Sequence, residues 1–248
     1  MSMANRARLL IDASGFAGIL RPNSLLGERT LELDRFRISG QLVLGSSAVP
    51  VARGEPPRSW THRKALKYWK KLLGIPEHIK PYYERRVVRE PEENHFRFDA
   101  KLYNRRISSE VTFIGYWQTE RYFAEIAPLL RTELAVVPAM EGQNVAVARS
   151  IAACDSVAVH VRHGDNVKAA AALGVLAPAY YERAFTAICS EVAQPRFFVF
   201  SDDPEWARSV LRTPGQTTYV AHNSPHHSYE DLRLMTLCKH HIIANSTF

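Results

Sequence analysis

Short apolar runs alternate with amphipathic segments throughout the second half of the chain, which predicts strands alternating with helices. The predicted strands are Ser156–Val161, Arg196–Ser201, Thr217–Ala221 and His241–Ala244. The predicted helices are Val145–Ala153, Pro178–Val192, Pro204–Leu211 and Tyr229–Lys239. Because strand–helix–strand units build parallel sheets, we predict an α/β fold with a parallel, doubly wound sheet in this half.

The first half of the chain is less regular. "ARLLIDASGF" predicts a strand followed by a turn, and "RTLELDRFRISG" predicts a second extended segment. "SWTHRKALKYWKKLLG" has apolar residues at helical spacing with lysines between them, which predicts a basic amphipathic helix at Ser59–Leu73. "EVTFIGYWQTERYFAEIAPLLRTEL" predicts a short strand leading into one amphipathic helix. A linker-like "PAMEGQN" indicates two domains, residues 1–140 and 141–248.

Polar side chains lie at or directly after the carboxyl ends of three of the predicted strands. They are His160, Arg162, His163 and Asp165 after the first strand, Ser201, Asp202 and Asp203 after the second, and Asn245, Ser246 and Thr247 after the last. Ligands of open parallel sheets bind outside the carboxyl ends of the strands. The sequence therefore predicts a ligand pocket at this edge.

The most informative of these side chains is Arg162, because a guanidinium is a fixed fork of donors that suits phosphate. An alternative is a structural ion pair with Asp165 or Asp202. The carboxylates of Asp202 and Asp203 suit base N–H groups or ribose hydroxyls. They also suit the N-terminus of the helix predicted at Pro204, and both interpretations stay open.

Composition narrows the class of ligand. The 248 residues carry a formal net charge of +7, which favours anionic partners. The sequence has no apolar run near the roughly 20 residues of a membrane span, no secretory signal pattern and no cysteine spacing typical of disulfides, so we expect a cytoplasmic protein. The ten histidines include no group with carboxylates or cysteines at ligand spacing, so we expect no metal site. Dinucleotide, P-loop and nucleophile-elbow motifs are also missing.

Several segments look familiar together. "VAVHVRHGD" resembles the His-x-Arg-Arg-x-Asp motif of the α-1,2-fucosyltransferases of glycosyltransferase family 11. "YYERAF", "FFVFSDDPEWARSVL" and "YEDLRLMTLCKHHIIANSTF" follow in that family's order, and "FIGYWQTERYF" is similar to its segment upstream of the arginine motif. Four motifs in order are a specific signal.

The resemblance implies a GT-B-like fold of two Rossmann-type domains, with an acceptor-side first domain and a second domain that holds GDP-fucose. It implies metal-independent, inverting transfer of L-fucose to O2 of a terminal galactose. By position, Arg162 would hold the β-phosphate, Asp202 and Asp203 would lie near the nucleoside, and Ser246 and Thr247 would approach the pyrophosphate. The implied donor-binding residues are His160, Arg162, His163, Ser201, Asp202, Asp203, Asn245, Ser246 and Thr247, and the implied catalytic residues are Arg162 and Asp165.

The implied partners are GDP-fucose and a galactose-terminated oligosaccharide or lipid-linked glycan, without nucleic acid. The acceptor side is harder to assign. Trp117, Gln118, Glu120 and Tyr122 could contact a sugar, although core packing suits Trp117 and Tyr122 better. The basic helix suggests peripheral contact with an acidic inner membrane surface, and the alternative is a solvated face of a core helix.

Three departures from the family stand out. His163 replaces a second arginine, the family's N-terminal Gly-Gly-Leu-Gly-Asn-Gln loop is missing, and the sequence ends at Phe248 where the family continues. We therefore expect a fragment that lacks the glycine loop and the C-terminal end. An alternative is a catalytically inactive protein that binds nucleotide sugar or glycan on the same scaffold, and another is a nucleic-acid or membrane-surface binder.

The replacement of arginine by His163 generates a first prediction. An ordinary imidazole has a pKa of about 6.5 and is mostly neutral at pH 7, whereas a guanidinium stays charged. Donor affinity, measured by titration calorimetry, should weaken from pH 6 to pH 8 more steeply in the wild type than in His163→Arg. Equal slopes for the two proteins would refute this prediction.

Overall fold

A computed structural model describes residues 10–12, 32–43, 80–94, 96–108, 110–164 and 174–246. The chain divides into two compact units. The first unit comprises Met1–Gly15 and Ile38–Leu134, and the second comprises Phe16–Arg37 and Ala135–Phe248. The basic helix predicted at Ser59–Leu73 lies outside the described residues.

The described part of the first unit contains two small parallel sheets. Strand β1 (Leu10–Asp12) pairs with β2 (Gln41–Val43), and β3 (Val87–Arg89) pairs with β4 (Thr112–Ile114). The helices described in this unit are α1 (Ala100–Tyr103) and α2 (Ala127–Glu133). Among the residues described here, 3₁₀ turns lie at Tyr82–Glu84, Glu92–Asn94, Glu120–Tyr122 and Ala124–Ile126.

Two predictions for the first half of the chain were wrong in part. A 3₁₀ turn at Leu33–Arg35 interrupts the predicted extended segment, because the apolar Leu33 and Phe36 are three residues apart rather than two. The predicted amphipathic helix is also broken. It begins only at Ala127, where a proline occupies the first turn, and the two 3₁₀ turns at Glu120 and Ala124 precede it.

Contacts with Glu90 fix the conformation of the loop that follows β4. A Cβ on Gly115 would lie 2.5 Å from the Cβ of Glu90, so only glycine fits there. The Glu90 carboxylate accepts hydrogen bonds from the N–H groups of Tyr116 (2.8 Å) and Trp117 (3.1 Å). These bonds hold Trp117 at a φ of 52°, a left-handed conformation that costs free energy in a bulky residue.

As far as the structure describes it, the second unit is built on a four-stranded parallel sheet in the order β7-β6-β5-β8. The strands are β5 (Asp155–Val161), β6 (Pro195–Ser201), β7 (Thr217–Val220) and β8 (His240–Ile242). The helices in the described ranges of this unit are α3 (Gln143–Ala152), α4 (Pro178–Glu191), α5 (Pro204–Val210) and α6 (Ser228–Leu237). Each of these elements agrees with its predicted bounds to within two residues.

Alternate residues of the central strands point to two separate cores. Val157, Val159 and Val199 pack on one face of the sheet with Tyr181 and Phe185 of α4. Their neighbours pack on the other face with α3 and α6; this second core includes Ala158, Phe198, Phe200, Ile151 and Leu234. Helices therefore cover both faces, and the prediction of a parallel, doubly wound sheet is confirmed.

Candidate functional site

The carboxyl ends of β5, β6 and β8 lie side by side at one edge of the sheet. The register pairs Val161 with Ser201 and Val159 with Ile242. The residues that follow β5 and β6 are therefore neighbours, and the segment after β8 flanks them on the other side of β5. This is the edge at which ligands of open parallel sheets bind.

An ion pair joins the ends of β5 and β6. Arg162 Nε lies 3.5 Å from Asp202 Oδ2, and the two side chains are 20% and 17% exposed. The other carboxylate oxygen of Asp202 accepts hydrogen bonds from the backbone N–H groups of His163 (2.9 Å) and Gly164 (3.3 Å). The sequence left open whether Arg162 pairs with Asp165 or with Asp202. The structure shows the pair with Asp202, made through the Nε atom of Arg162.

The next carboxylate, that of Asp203, caps helix α5. Its Oδ1 accepts a hydrogen bond from the N–H of Trp206 (3.1 Å), and its own N–H donates to Ser201 Oγ (3.0 Å). Its Oδ2 lies 2.9 Å from Nδ1 of His163. The hydrogen bonds from Trp206 and His163 hold the pKa of Asp203 below its usual range, so the carboxylate is ionised at neutral pH. The N-cap interpretation of Asp203 is confirmed.

A stacked ring pair completes this group. The His163 imidazole lies parallel to the Trp206 indole, with a centroid distance of 3.9 Å and an angle of 7° between the planes. Sequence analysis missed Trp206, although its signal was present. Trp206 is the third residue after the N-cap Asp203, the position whose N–H an N-cap side chain usually accepts.

His160 lies in a different environment from Arg162 and His163. It is 6% exposed within β5, and the hydroxyl of the buried Tyr181 donates to its carbonyl oxygen at 3.4 Å. Burial, and secondarily the charge of Arg162, lower the pKa of His160 to about 4, with Asp202 opposing them. The imidazole is therefore neutral at pH 7 and provides no cationic contact.

The segment after β8 brings amide and hydroxyl groups to the same edge. Asn245 Nδ2 donates to the carbonyl of Gly174 (3.4 Å), and the N–H of Ser246 donates to the carbonyl of Ala244 (2.9 Å). Two predicted site residues, Asp165 and Thr247, lie outside the described residues. Within the described ranges, no group of three or more His, Cys, Asp or Glu side chains is arranged to hold a metal ion.

Comparison with known proteins identifies the family. The model of glycosyl transferase family 11 matches residues 92–248, which is more than half of the chain. The chain belongs to glycosyltransferase family 11. The matched region includes the whole sheet of the second unit and every site residue described above.

Two relatives of this family member are informative. An alpha-1,2-colitosyltransferase from Escherichia coli is 33% identical over 167 residues, which are 61% of this chain and 55% of the relative. The O-antigen biosynthesis glycosyltransferase WbnK from Escherichia coli is 38% identical over 98 residues, which are 38% of this chain and 32% of the relative. The chain thus spans about half or less of the curated relatives that it matches. No solved structure gives a significant match.

The described helices were also compared with the length and hydropathy of a membrane span. Among the helices of the described ranges, none is both long and apolar enough to cross a bilayer.

A second polar cluster, which sequence analysis missed, follows β7 at the same edge of the sheet. His222 Nε2 lies 2.7 Å from Asn144 Oδ1, and Asn223 donates to both Asn144 (3.1 Å) and Asp231 (2.6 Å). Beside it lies a half-open cavity of about 290 Å³, whose lining includes Asn144, Asn223, Tyr229 and Glu230.

The half-buried carboxyl group of Asp231 makes this cluster sensitive to pH. Burial raises its pKa from 3.8 to about 6; Glu230 and Glu32 add to the rise, and the hydrogen bond from Asn223 opposes it. Between pH 4 and 6 the folded protein therefore holds a proton here that the unfolded chain has lost. The contribution of this group to stability is thus greatest below pH 4 and is lost as the pH rises through 6.

We predict that Asp231→Asn removes this loss, because an amide keeps the contact with Asn223 and carries no charge. The free energy of unfolding of the variant minus that of the wild type should therefore increase between pH 4 and pH 8, by on the order of 2–3 kcal/mol. Thermal unfolding of the two proteins across this range measures the effect. Asp34→Asn, which changes an exposed carboxylate, is the matched control. Parallel wild-type and Asp231→Asn profiles would contradict the prediction.

Proposed function

We propose that this family 11 member is an inverting galactoside α-1,2-fucosyltransferase, which transfers L-fucose from GDP-fucose to O2 of a terminal galactose. The observation that carries the proposal is the placement of Arg162. It is a partly exposed guanidinium at the carboxyl end of a central parallel strand, fixed by the carboxylate of Asp202. The family assignment and the α-1,2 transferase among the relatives support the same reaction class.

The proposed chemistry requires stabilisation of charge on the leaving group. The acceptor O2 attacks C1 of fucose, the bond from C1 to the β-phosphate oxygen breaks, and GDP leaves with an additional negative charge. A preorganised cation lowers the barrier of such a step, and one donor of this kind is typically worth about 2.7–4 kcal/mol. Because Asp202 already orients Arg162, the guanidinium needs little reorganisation. We therefore propose that Arg162 fulfils this role without a metal ion.

The other predicted residues have graded support. His163 lies beside Arg162 and is proposed to contact the diphosphate, with Asn245 and Ser246 following β8 on the other side of β5. A diphosphate contact of Thr247 stays a prediction. The contacts of Asp202 and Asp203 favour positioning roles, and their proximity to the nucleoside stays a prediction. Asp165 as the base that takes the acceptor proton also stays a prediction.

The wider assignment follows the family. We propose a GT-B-like fold in which the second unit binds the donor and the first recognises the acceptor. In the first unit, Trp117 and Tyr122 pack in an aromatic cluster with Phe98 and Phe113, which favours a core role for both. We also propose a cytoplasmic protein that acts on oligosaccharides or lipid-linked glycans at an acidic membrane surface, in line with the relative named for O-antigen biosynthesis.

Two alternatives give different results from the main proposal. The 33% identical relative favours transfer of colitose as a second candidate reaction. The other alternative is a protein that binds nucleotide sugar without turnover. Release of GDP in the presence of a galactose-terminated acceptor distinguishes an enzyme from a binding protein. Comparison of the turnover rates with nucleotide-activated fucose and with nucleotide-activated colitose distinguishes the two transferases.

The Arg162 assignment predicts a specific binding result. In calorimetric titrations with EDTA present, the chain should bind GDP-fucose and not UDP-galactose. Arg162→Ala should weaken this binding at least about tenfold, since charge-assisted hydrogen bonds are worth about 1.5–3 kcal/mol each.

Arg212→Ala is the matched control for this titration. Arg212 follows α5, which runs away from the candidate site, so that it lies near the opposite edge of the sheet. Its replacement should leave affinity unchanged. Binding that EDTA abolishes, or that is equal in the wild type and Arg162→Ala, would overturn the assignment.

A further inference from the structure

We propose that Trp206 is a positioning residue which, together with Asp203, fixes the imidazole of His163 for contact with the diphosphate of the donor. The inference rests on the proposed function, because it assigns a role within the same donor site. It concerns a feature of this chain, a histidine at the position where the family motif has a second arginine.

Three contacts determine where the His163 ring lies. The backbone N–H of His163 donates to Asp202 (2.9 Å), and the ring Nδ1 lies 2.9 Å from Asp203 Oδ2. The ring stacks on the Trp206 indole with a centroid distance of 3.9 Å. The side chain remains 20% exposed. The ring is therefore fixed in position and still accessible to a ligand.

The two groups that hold the ring are themselves anchored. Trp206 packs against the core formed by the valines of β5 and β6 with α4, and its N–H is bound by Asp203. Asp203 in turn donates its N–H to Ser201 at the end of β6. The platform under His163 is thus part of the sheet–helix core rather than a surface loop.

The contact with Asp203 also determines which ring nitrogen can meet a ligand. An ionised carboxylate only accepts hydrogen bonds, so Nδ1 of His163 must be the donor in this pair. Nε2 is the remaining nitrogen, and in the protonated ring it carries a hydrogen that a phosphate oxygen can accept.

Orientation matters more for a histidine than for an arginine at this site. An arginine has five N–H donors on a long side chain and can reach a phosphate in several ways. A histidine whose Nδ1 is occupied has one nitrogen left on a short side chain. We therefore expect the contact between His163 and the diphosphate to depend on Trp206 and Asp203, whereas the contact of an arginine at this position would not.

A double-mutant cycle tests this dependence, with GDP as the probe and titration calorimetry at pH 6 as the measurement. Trp206→Leu should weaken GDP binding about three- to tenfold, the size typical of one aromatic pair. His163→Ala should weaken it at least as much. The double variant should bind as His163→Ala does, because Trp206 acts only through the histidine.

Two further variants separate positioning from loss of packing. Trp206→Phe keeps an aromatic face and should recover most of the affinity lost in Trp206→Leu, even if the leucine variant is less stable. Tyr219→Leu is the matched control. Tyr219 packs against the same core and its ring is covered by Arg208, so its loss should leave GDP affinity unchanged.

The outcomes distinguish the inference from the proposed function. Additive losses in the double variant, or unchanged binding in Trp206→Leu while His163→Ala is weakened, overturn the inference alone when Arg162→Ala still weakens binding at least about tenfold. If the wild type binds no GDP, both the proposed function and the inference are overturned.

Discussion

The candidate site depends on the hydrogen bonds and the ion pair that the carboxylate of Asp202 makes. It joins two parallel strands at their carboxyl ends by accepting hydrogen bonds from two successive N–H groups after β5 and by pairing with Arg162. Without a carboxylate there, the two N–H groups would lack this acceptor and the guanidinium would lose its charged partner. Partial desolvation of an unpaired cation costs free energy. The ion pair with Asp202 offsets this cost for Arg162 and also orients its guanidinium.

The adjacent Asp203 extends the same arrangement to His163. One carboxylate caps α5 and contacts the imidazole, and the first turn of that helix supplies the indole on which the imidazole stacks. Two consecutive aspartates thus hold two consecutive basic side chains, Arg162 and His163. The third basic residue, His160, is buried and neutral at pH 7, so it adds no positive charge to this edge of the sheet.

The sequence predicted the sheet of the second unit well because its strands are nearly continuous apolar runs and its helices have clear start signals, such as the prolines at 178 and 204. The common edge of Arg162, Asp202 and Asn245 followed from parallel topology alone. The choice of Asp202 as partner of Arg162 did not, because it depends on the pairing of Val161 with Ser201. The raised pKa of Asp231 reflects burial and also the charge of Glu32, which lies far away in sequence and accepts the N–H of Tyr229 at 3.2 Å. Such long-range packing leaves no local pattern.

The central claim is that the edge of the sheet beside Arg162 is a donor site for a nucleoside diphosphate sugar. A crystal structure of the chain with GDP tests it most directly. We expect a diphosphate oxygen about 2.7–2.9 Å from the guanidinium of Arg162, with the Arg162–Asp202 pair retained. A nucleotide bound with its diphosphate away from the end of β5, for example within the cavity beside Asn144, would contradict it.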